Sequence, residues 1–390
     1  MKKLLRLLSI ALTVILIGST LVTSAFGSQV ISENVLLSKQ DDANMVVNQI
    51  RPKVVKDESN LSKNIQFNNT YASEYGGAYI DEEGTLNVNI VGDGQNIKKL
   101  IESANTKAIN INYHSIKYSL QNLKDMDNSL CDRLVELGIK ALEVDEKNNK
   151  LIIYLKDLQD TQKIQNIKKI IDSPAIEYQK MEGEIVTSVA LNVVNGTAAN
   201  TTEVIQGFTM GVGATRNGVK GWIIPGHLTD GVGKDISYQD WLIGTIQAKD
   251  FGGSVDAGFA ARKTSGGPYN IVNYFYNGDY YDSWDSYNYS SGTTITFYGA
   301  ASKKQSGYIL DNDFTFTPGD HPDVTLKHVV KASYLAALGD SGGPVTYYHA
   351  TNSSRSVIGI QSCISTSPQY SVYTTIYDIE QALGVSPCSS

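Results

Sequence analysis

A serine in a glycine-rich turn is the residue of this sequence with the clearest chemical potential. Ser341 lies in the run Gly-Asp-Ser-Gly-Gly-Pro at 339–344, between apolar segments. A serine hydroxyl becomes a useful nucleophile only when a neighbouring base takes its proton. The glycines allow a tight, partly positive-φ backbone and leave room for a substrate carbonyl, and Asp340 is expected to hold the turn through a buried partner. We therefore expect the N–H groups of Gly339 and Ser341 to form an oxyanion hole.

A histidine and an aspartate upstream have the types and positions needed to activate this serine. His227 follows an apolar strand, in a Pro-Gly-His-Leu turn at 225–228. Asp256 lies in the small and apolar run at 252–260. It is expected to be buried, and a buried carboxylate must be paired. By accepting the Nδ1–H of His227, Asp256 would fix the tautomer of the imidazole and stabilise the imidazolium.

These residues resemble the motifs of the chymotrypsin-like serine endopeptidases, in particular the secreted bacterial enzymes of the α-lytic protease and streptogrisin type. The serine loop is similar to the nucleophile loop of that family, and the order His, Asp, Ser is the family's order. Gly-Ile-Gln-Ser at 359–362 and Val-Tyr-Thr at 372–374 match the strands that follow. The chain departs from the family at Pro225 and at Leu228, where many relatives carry a disulfide cysteine. The resemblance covers about residues 200–384.

The resemblance implies an all-β catalytic domain of two six-stranded antiparallel barrels. It also implies that Ser362 donates a hydrogen bond to Asp256, and that the strand of Ser362 pairs with the substrate backbone. By position in the family, four residues form the primary specificity pocket, the first of them at its base: Leu335, Ala336, Ile364 and Ser371. Such a small apolar pocket without charge predicts a preference for small or aliphatic residues before the scissile bond.

The 390-residue chain divides into four predicted segments. Residues 1–27 have a charged start, an apolar stretch and small residues at the end, which is the pattern of a secretory signal peptide. Residues 28–74 are polar with little clear period and are interpreted as a leader or linker. Residues 75–185 follow the pattern strand–turn–strand–helix–strand twice, which predicts a small α+β domain. Residues 186–390 form the β-rich domain that carries the candidate triad.

The α+β segment at 75–185 resembles the pro-region of the α-lytic and streptogrisin type of enzyme. The resemblance implies a chain made as a pro-enzyme, whose own pro-region acts as an intramolecular chaperone and inhibitor until it is removed. A retained binding module is the alternative. The sequence Glu-Ile-Val at 184–186 is one conceivable cleavage junction.

Charge and hydropathy bound the partners of the protein. The net charge is −7, whereas a nucleic-acid-binding domain usually carries a basic footprint. Beyond residue 27 no stretch approaches the roughly 18 apolar residues of a spanning helix, so no stable membrane insertion is expected. The signal peptide predicts a secreted, extracellular protein, with association at the cell surface left open. Its expected partners are protein or peptide substrates.

The sequence gives little sign of disulfides, and neither a cofactor nor a metal site is expected. Three cysteines are too few for a disulfide scaffold; Cys363 and Cys388 either pair or remain thiols, and Cys131 is expected to be a buried apolar residue. Four aspartates lack the pattern of a calcium loop: Asp311, Asp313, Asp320 and Asp323. Four histidines without matched partners are interpreted as structural or surface residues: His114, His321, His328 and His349.

The function predicted from these residues is hydrolysis of peptide bonds by a secreted serine endopeptidase, through a His–Asp–Ser triad and an acyl-enzyme. A catalytically silent protein that keeps the fold and binds at the cell surface is the alternative. A third class, the α/β-hydrolase esterases, would require the order Ser, Asp, His and a helix after the serine. Pro344 and the β-rich sequence after it disagree with that class.

Overall fold

The computed structural model describes residues 33–56, 68–187, 198–201, 207–228, 231–238, 241–263 and 270–388. The predicted signal peptide at 1–27 lies outside these residues. Within the described ranges, no helix is both long and apolar enough to cross a membrane.

The N-terminal part is built from two units with the same strand topology. The first unit contains α1 (33–54), α2 (Asn69–Glu74), β1 (Tyr75–Ile80), β2 (Leu86–Val91), α3 (Gln95–Ala104) and β3 (Ile111–Ile116). The second contains α4 (Leu120–Cys131), α5 (Leu134–Leu137), β4 (Ile139–Asp145), β5 (Lys150–Leu155), α6 (Thr161–Lys168) and β6 (Ile176–Lys180). In each unit the first two strands are antiparallel and the third is parallel to the second. The predicted internal repeat is therefore confirmed.

Helix α1 lies within residues 28–74, which the sequence indicated to be a polar leader or linker. Its apolar side chains recur at helical spacing and are buried in the N-terminal core: Ala43, Val46, Val47, Ile50 and Val54. The intervening Gln40, Asp41 and Asn44 are also buried, because they bond to the β-rich part of the chain. A helix that buries polar as well as apolar side chains has little amphipathic contrast, which is why the sequence resembled a polar linker.

The β-rich part begins with β7 (Ile185–Thr187). Eight strands form its first sheet, and one edge of that sheet is β22, which comes from the C-terminal end of the chain. The eight strands are β8 (Ala198–Thr201), β9 (Gly207–Thr209), β10 (Gly213–Arg216), β11 (Val219–Ile224), β12 (Asp235–Tyr238), β13 (Trp241–Gly252), β14 (Val255–Arg262) and β22 (Val385–Pro387). The remaining elements are β15 (Ser283–Trp284), β16 (Thr294–Gly299), β17 (Lys303–Phe316), β18 (Leu326–Ala332), β19 (Pro344–His349), β20 (Ser354–Thr366), β21 (Gln369–Thr375) and α7 (Ile376–Leu383).

The pairing of these strands gives two antiparallel layers, as the all-β prediction required. In the second layer the order β16-β19-β20-β21-β18-β17 is closed by pairing of β16 with β17, which makes a ring of six strands. Phe297, Val345 and Tyr373 belong to the cluster of buried side chains that fills this ring. In the first layer the order is β22-β10-β11-β14-β13-β12-β8-β9, and no pair among the described residues closes it. The two predicted β-barrel domains fit this arrangement: the strands of the second form a ring of six, and those of the first lie in one eight-stranded sheet.

The N-terminal part and the second barrel share one continuous sheet. Strand β4 pairs antiparallel with the end of β17, with Glu143 opposite Phe314 and Ala141 opposite Phe316. Strands β5 and β6 extend the sheet further. The two parts are therefore joined by main-chain hydrogen bonds as well as by side-chain packing.

The cysteines form no disulfide in the structure. Cys363 is buried within β20, whereas Cys388 follows β22 at the edge of the first sheet. Burial raises the pKa of the Cys363 thiol well above its ordinary value, which keeps this side chain protonated. Cys131 is buried on α4, as expected. The undivided chain thus lacks the Cys363–Cys388 disulfide, and its formation after loss of the N-terminal part stays a prediction.

The packing of α1 predicts a stability effect for a residue in the supposed linker. Replacing the fully buried Ile50 by alanine leaves a cavity, and we expect it to lower the free energy of unfolding by about 2–5 kcal/mol. In the matched control Val35→Ala, on the same helix, the altered side chain is 53% exposed, so a change within about 0.5 kcal/mol is expected. Urea unfolding followed by circular dichroism measures both. Equal effects of the two variants would contradict the buried position of Ile50.

Candidate active site

The loop that carries Ser341 has the backbone conformation that its glycines predict. Gly339 has φ +96° and Gly342 has φ +87°, a region that favours glycine. A Cβ atom at residue 342 would lie 2.4 Å from the carbonyl oxygen of Thr209. The Thr209 N–H donates to the carbonyl oxygen of Ser341 at 2.8 Å. The loop is thus held against strand β9 of the first sheet by contacts that only glycine permits.

Asp340 has the buried partners expected of it. Its carboxylate is fully buried and accepts the N–H of Ala337 and the N–H of Ala301, each at 2.8 Å. The N–H of Ser302 also faces both carboxylate oxygens at 3.2 Å. Three backbone donors from two segments therefore fix the turn next to Ser341.

His227 and Asp256 form a buried pair between the two β layers. His227 Nδ1 lies 2.6 Å from Asp256 Oδ2, which also accepts a short hydrogen bond from the hydroxyl of Ser362. Asp256 Oδ1 accepts the N–H groups of Gly226 and His227, at 2.9 and 2.8 Å. The pairing that the sequence predicted for these three side chains is present in the structure.

The electrostatics of this pair determine the tautomer of the imidazole. Burial raises the pKa of the Asp256 carboxyl, but the adjacent His227 and the hydrogen bonds from His227 and Ser362 outweigh it, so that this pKa lies below its ordinary value. The carboxylate is therefore ionised at neutral pH and accepts a hydrogen bond from the Nδ1–H of His227. In a neutral imidazole that assignment leaves Nε2 as a proton acceptor, which is the state that a general base requires.

Ser341 lies in the same buried region but does not complete the hydrogen-bond chain. Its hydroxyl donates to the carbonyl oxygen of Ser362 at 3.2 Å. The Nε2 atom of His227 is buried and has no hydrogen-bond partner in the described part of the chain. Catalytic hydrogen bonds are often long or badly aligned before substrate binds. The structure thus brings His227, Asp256 and Ser362 into direct contact, and it connects Ser341 to them through the main chain of Ser362.

The residues assigned to the specificity pocket lie in two groups. Ala336 N–H donates to Ser371 Oγ at 3.1 Å, and Ser371 is the cross-strand neighbour of Ile364. Leu335 precedes Ala336 and is 49% exposed. Ser362 lies apart from these four, with its hydroxyl on Asp256. Ala336, Ile364 and Ser371 are therefore neighbours around β20 and β21, with Ser371 fully buried and Leu335 exposed.

Sequence reasoning missed the segment that covers this surface. Strand β7 pairs antiparallel with β20, with Val186 opposite Ile364 and Thr187 opposite Cys363. Thr187 is fixed by Asp320, whose carboxylate accepts its hydroxyl at 2.5 Å. The only signal in the sequence was the conceivable junction at 184–186, which named part of this strand without its pairing.

Two further side chains that the sequence did not point to support the pair. The N–H of Asp256 donates to Thr374 Oγ1 at 3.1 Å. The ring of Phe251 meets the His227 imidazole edge-on, with 5.7 Å between centroids. Thr374 belongs to the Val-Tyr-Thr motif at 372–374, whereas Phe251 belongs to none of the motifs. Their positions depend on strand pairing, which a single sequence does not reveal.

The N-terminal part of the chain matches a known family model, the Pro-like N-terminal domain, over residues 32–115. Among solved structures, the chain is similar to Thermobifida fusca protease A, with 17% identity and a TM-score of 0.42 over 51% of this chain and 99% of that one. It is also similar to the Nocardiopsis protease NAPase (20% identity, TM-score 0.41, 50% and 99% covered) and to Cellulomonas bogoriensis chymotrypsin (19%, 0.41, 51% and 99%). No curated protein matches the sequence.

The family model and the fold agree with the resemblance drawn from the motifs. The Pro-like match begins at residue 32, so it includes α1, which the predicted boundary at residue 75 had left out. A mostly-β domain with a closed six-stranded barrel follows it. A Pro-like N-terminal domain followed by a mostly-β domain is the organisation that the resemblance implies.

The packing of the serine loop predicts that alanine substitutions at two glycines of similar backbone conformation destabilise the protein to different extents. Gly342 and Gly218 have φ +87° and +78°, but a Cβ at residue 218 would meet nothing within 4 Å. We expect Gly342→Ala to lower the free energy of unfolding by about 1–3 kcal/mol more than Gly218→Ala, because only residue 342 is overpacked. Urea unfolding of the two variants measures the difference. Equal losses would show that the loop is not packed against Thr209.

Proposed function

We propose that this chain is a secreted serine endopeptidase made as a pro-enzyme, in which His227, Asp256 and Ser341 act as a catalytic triad. The observation that carries the proposal is the 2.6 Å contact between His227 Nδ1 and the buried Asp256 carboxylate. A buried, correctly paired imidazole beside a glycine-bounded serine has the composition of a nucleophilic hydrolase site. The Pro-like domain at 32–115 supports the pro-enzyme form.

In the proposed mechanism each residue has one role. His227 Nε2 takes the proton of the Ser341 hydroxyl as the oxygen attacks the scissile carbonyl, and then gives that proton to the leaving amine. Asp256 holds the imidazole and stabilises its protonated form. The N–H groups of Gly339 and Ser341 bind the oxyanion of the tetrahedral intermediate. Water then hydrolyses the acyl-enzyme by the same steps, and no cofactor takes part.

We further propose that the pocket prefers small or aliphatic residues before the scissile bond. Leu335, Ala336 and Ile364 offer apolar surface, and the Ser371 hydroxyl is already engaged with the carbonyl oxygen of Tyr334 at 2.7 Å. No charged side chain belongs to the proposed set. A peptide library should therefore show cleavage after small or aliphatic residues, whereas strong cleavage after Lys or Arg would contradict the assignment.

The position of β7 supports an inhibitory role for the N-terminal part. Along β7 the residue numbers rise as those of β20 fall, so the chain leaving Thr187 is directed towards Ser362 and the nucleophile loop. This is the polarity of a peptide that offers the carbonyl at its C-terminal end to Ser341. The N-terminal part would thus occupy the strand on which a substrate has to pair.

Contacts of α1 support the proposed role as an intramolecular chaperone. Gln40 Oε1 accepts the N–H of Thr294 at 2.9 Å, and Asn44 Oδ1 accepts the N–H of Ser290 at 3.1 Å. Asp41 accepts the N–H of Thr351 at 3.1 Å. These side chains bond to main-chain groups of the second barrel. They would favour its native strand positions during folding.

The silent binding protein is a second candidate, because one observation favours it. His227 Nε2 has no hydrogen-bond partner in the part of the chain that the structure describes, and proton transfer from Ser341 requires that contact. Chemical reactivity of Ser341 distinguishes the two functions.

A fluorophosphonate probe tests whether Ser341 is activated. We expect the wild-type protein to gain one probe adduct on Ser341, detected by intact-mass and peptide mass spectrometry. The exposed Ser306→Ala variant should react like wild type, whereas Ser341→Ala should not react. Asp256→Asn should slow labelling on the order of 10³–10⁴-fold, because the imidazole then has the wrong tautomer. Absence of an adduct from a chain whose N-terminal part has been removed would establish the silent binder.

Self-processing gives an independent prediction. We expect the wild-type chain to be cut shortly after Thr187, since β7 directs the following residues to Ser341, and the Ser341→Ala chain to keep its N-terminal part. N-terminal sequencing of both secreted proteins measures this. Cleavage of Ser341→Ala at the same position would show that another protease makes the cut.

A further inference from the structure

A cluster of charged side chains outside the candidate active site joins the N-terminal part to the second barrel. Asp127 lies on α4, Asp313 on β17 and His328 on β18. One ligand atom of each lies within 4.8 Å of the other two. Asp127 is about two hundred positions away from the other two residues in the sequence, so only the folded, intact chain assembles the cluster.

Asp127 is the residue in this cluster that lacks a partner. Its side chain is fully buried, and neither carboxylate oxygen has a hydrogen-bond partner among the residues that the structure describes. A buried carboxylate without a partner is costly and is normally paired or bound to a metal. Burial and the nearby Asp313 carboxylate raise the pKa of Asp127 above its ordinary value. The surroundings therefore leave an electrostatic requirement that the described residues do not meet.

Asp313 already has a hydrogen-bond partner on each carboxylate oxygen, and these partners define where a ligand could bind. Lys124 Nζ lies 2.5 Å from Asp313 Oδ2, and His328 Nδ1 lies 2.6 Å from Asp313 Oδ1. Lys124 thus pairs with Asp313, whereas no cation is bonded to Asp127 among the described residues. The Oδ1 side of Asp313, the ring nitrogen of His328 and the carboxylate of Asp127 remain as a set of two hard oxygen donors and one imidazole.

We propose that Asp127, Asp313 and His328 bind one divalent transition-metal ion of the Zn²⁺ or Co²⁺ type. An imidazole with carboxylates suits these ions, whereas Ca²⁺ takes six to eight oxygen ligands and Mg²⁺ an octahedral oxygen shell. The ion replaces the proton between His328 and Asp313 and supplies the missing charge partner of Asp127. Water completes the coordination from the side of His328, whose side chain is 43% exposed.

The metal would fasten helix α4 to the β17–β18 hairpin. One ligand comes from the N-terminal part and two come from the second barrel, so the full set exists only while the two parts are together. Metal binding therefore stabilises the undivided chain, as any ligand specific for one state does. This inference does not depend on the proposed proteolysis.

Metal binding by the full chain tests the inference. The Ser341→Ala chain, freed of metal by chelation, is titrated with ZnCl₂ by calorimetry and with CoCl₂ by visible absorption. We expect one ion per chain and a thermal unfolding midpoint that rises with Zn²⁺. Asp127→Asn keeps the side-chain shape and removes the charge, and His328→Gln removes the nitrogen ligand. Each substitution should weaken metal binding at least tenfold, which is the loss of affinity that mutations around metal sites typically cause.

A matched control separates this site from adventitious binding. Asp125 lies on the same helix and is exposed, so Asp125→Asn should bind Zn²⁺ as strongly as the parent chain. Unchanged binding by Asp127→Asn would place the ion elsewhere and overturn the proposal. Absence of saturable binding of either ion would also overturn it, and would mean that a proton alone satisfies Asp127.

Discussion

The buried Asp256 carboxylate is the interaction on which the arrangement of the candidate active site depends. A buried charge must be compensated on the spot, and here the donors come from both β layers: the turn after β11 supplies Gly226 and His227, and β20 supplies Ser362. Because these donors bond to one carboxylate, they fix the turn after β11 and strand β20 relative to each other. The position of the imidazole follows from it, because His227 is bonded through its main chain and its ring to the same carboxylate.

Local chemistry made much of this region predictable. The glycines around Ser341 and the aspartate in an apolar run carry constraints that act within a few residues, so the turn and the buried pairing could be inferred from the sequence. The repeat in the N-terminal part was visible for the same reason, since hydrophobic periodicity is local. The unmade contact between His227 and Ser341 was not predictable, because it depends on the side-chain conformation of Ser341.

The features that escaped prediction are those with partners far along the chain. Helix α1 was hidden because Gln40, Asp41 and Asn44 are buried against segments about 250 to 310 positions away. Strand β7 has three residues and is defined by its register on β20. The partnerless carboxylate of Asp127 is a property of the junction between α4 and β17. A single sequence contains no record of such pairings, so propensity and period could not reveal them.

The pairing of β4 with β17 has a consequence for any form of the protein that has lost its N-terminal part. Residues 314–316 of β17 have β18 on one side and β4 on the other, so departure of β4 uncovers a row of main-chain groups. Bare edges of this kind recruit strands from other molecules unless charge opposes it. Asp311 and Asp313 stand beside that row and would become hydrated there. These two acidic residues would then oppose strand addition between molecules of the shortened chain.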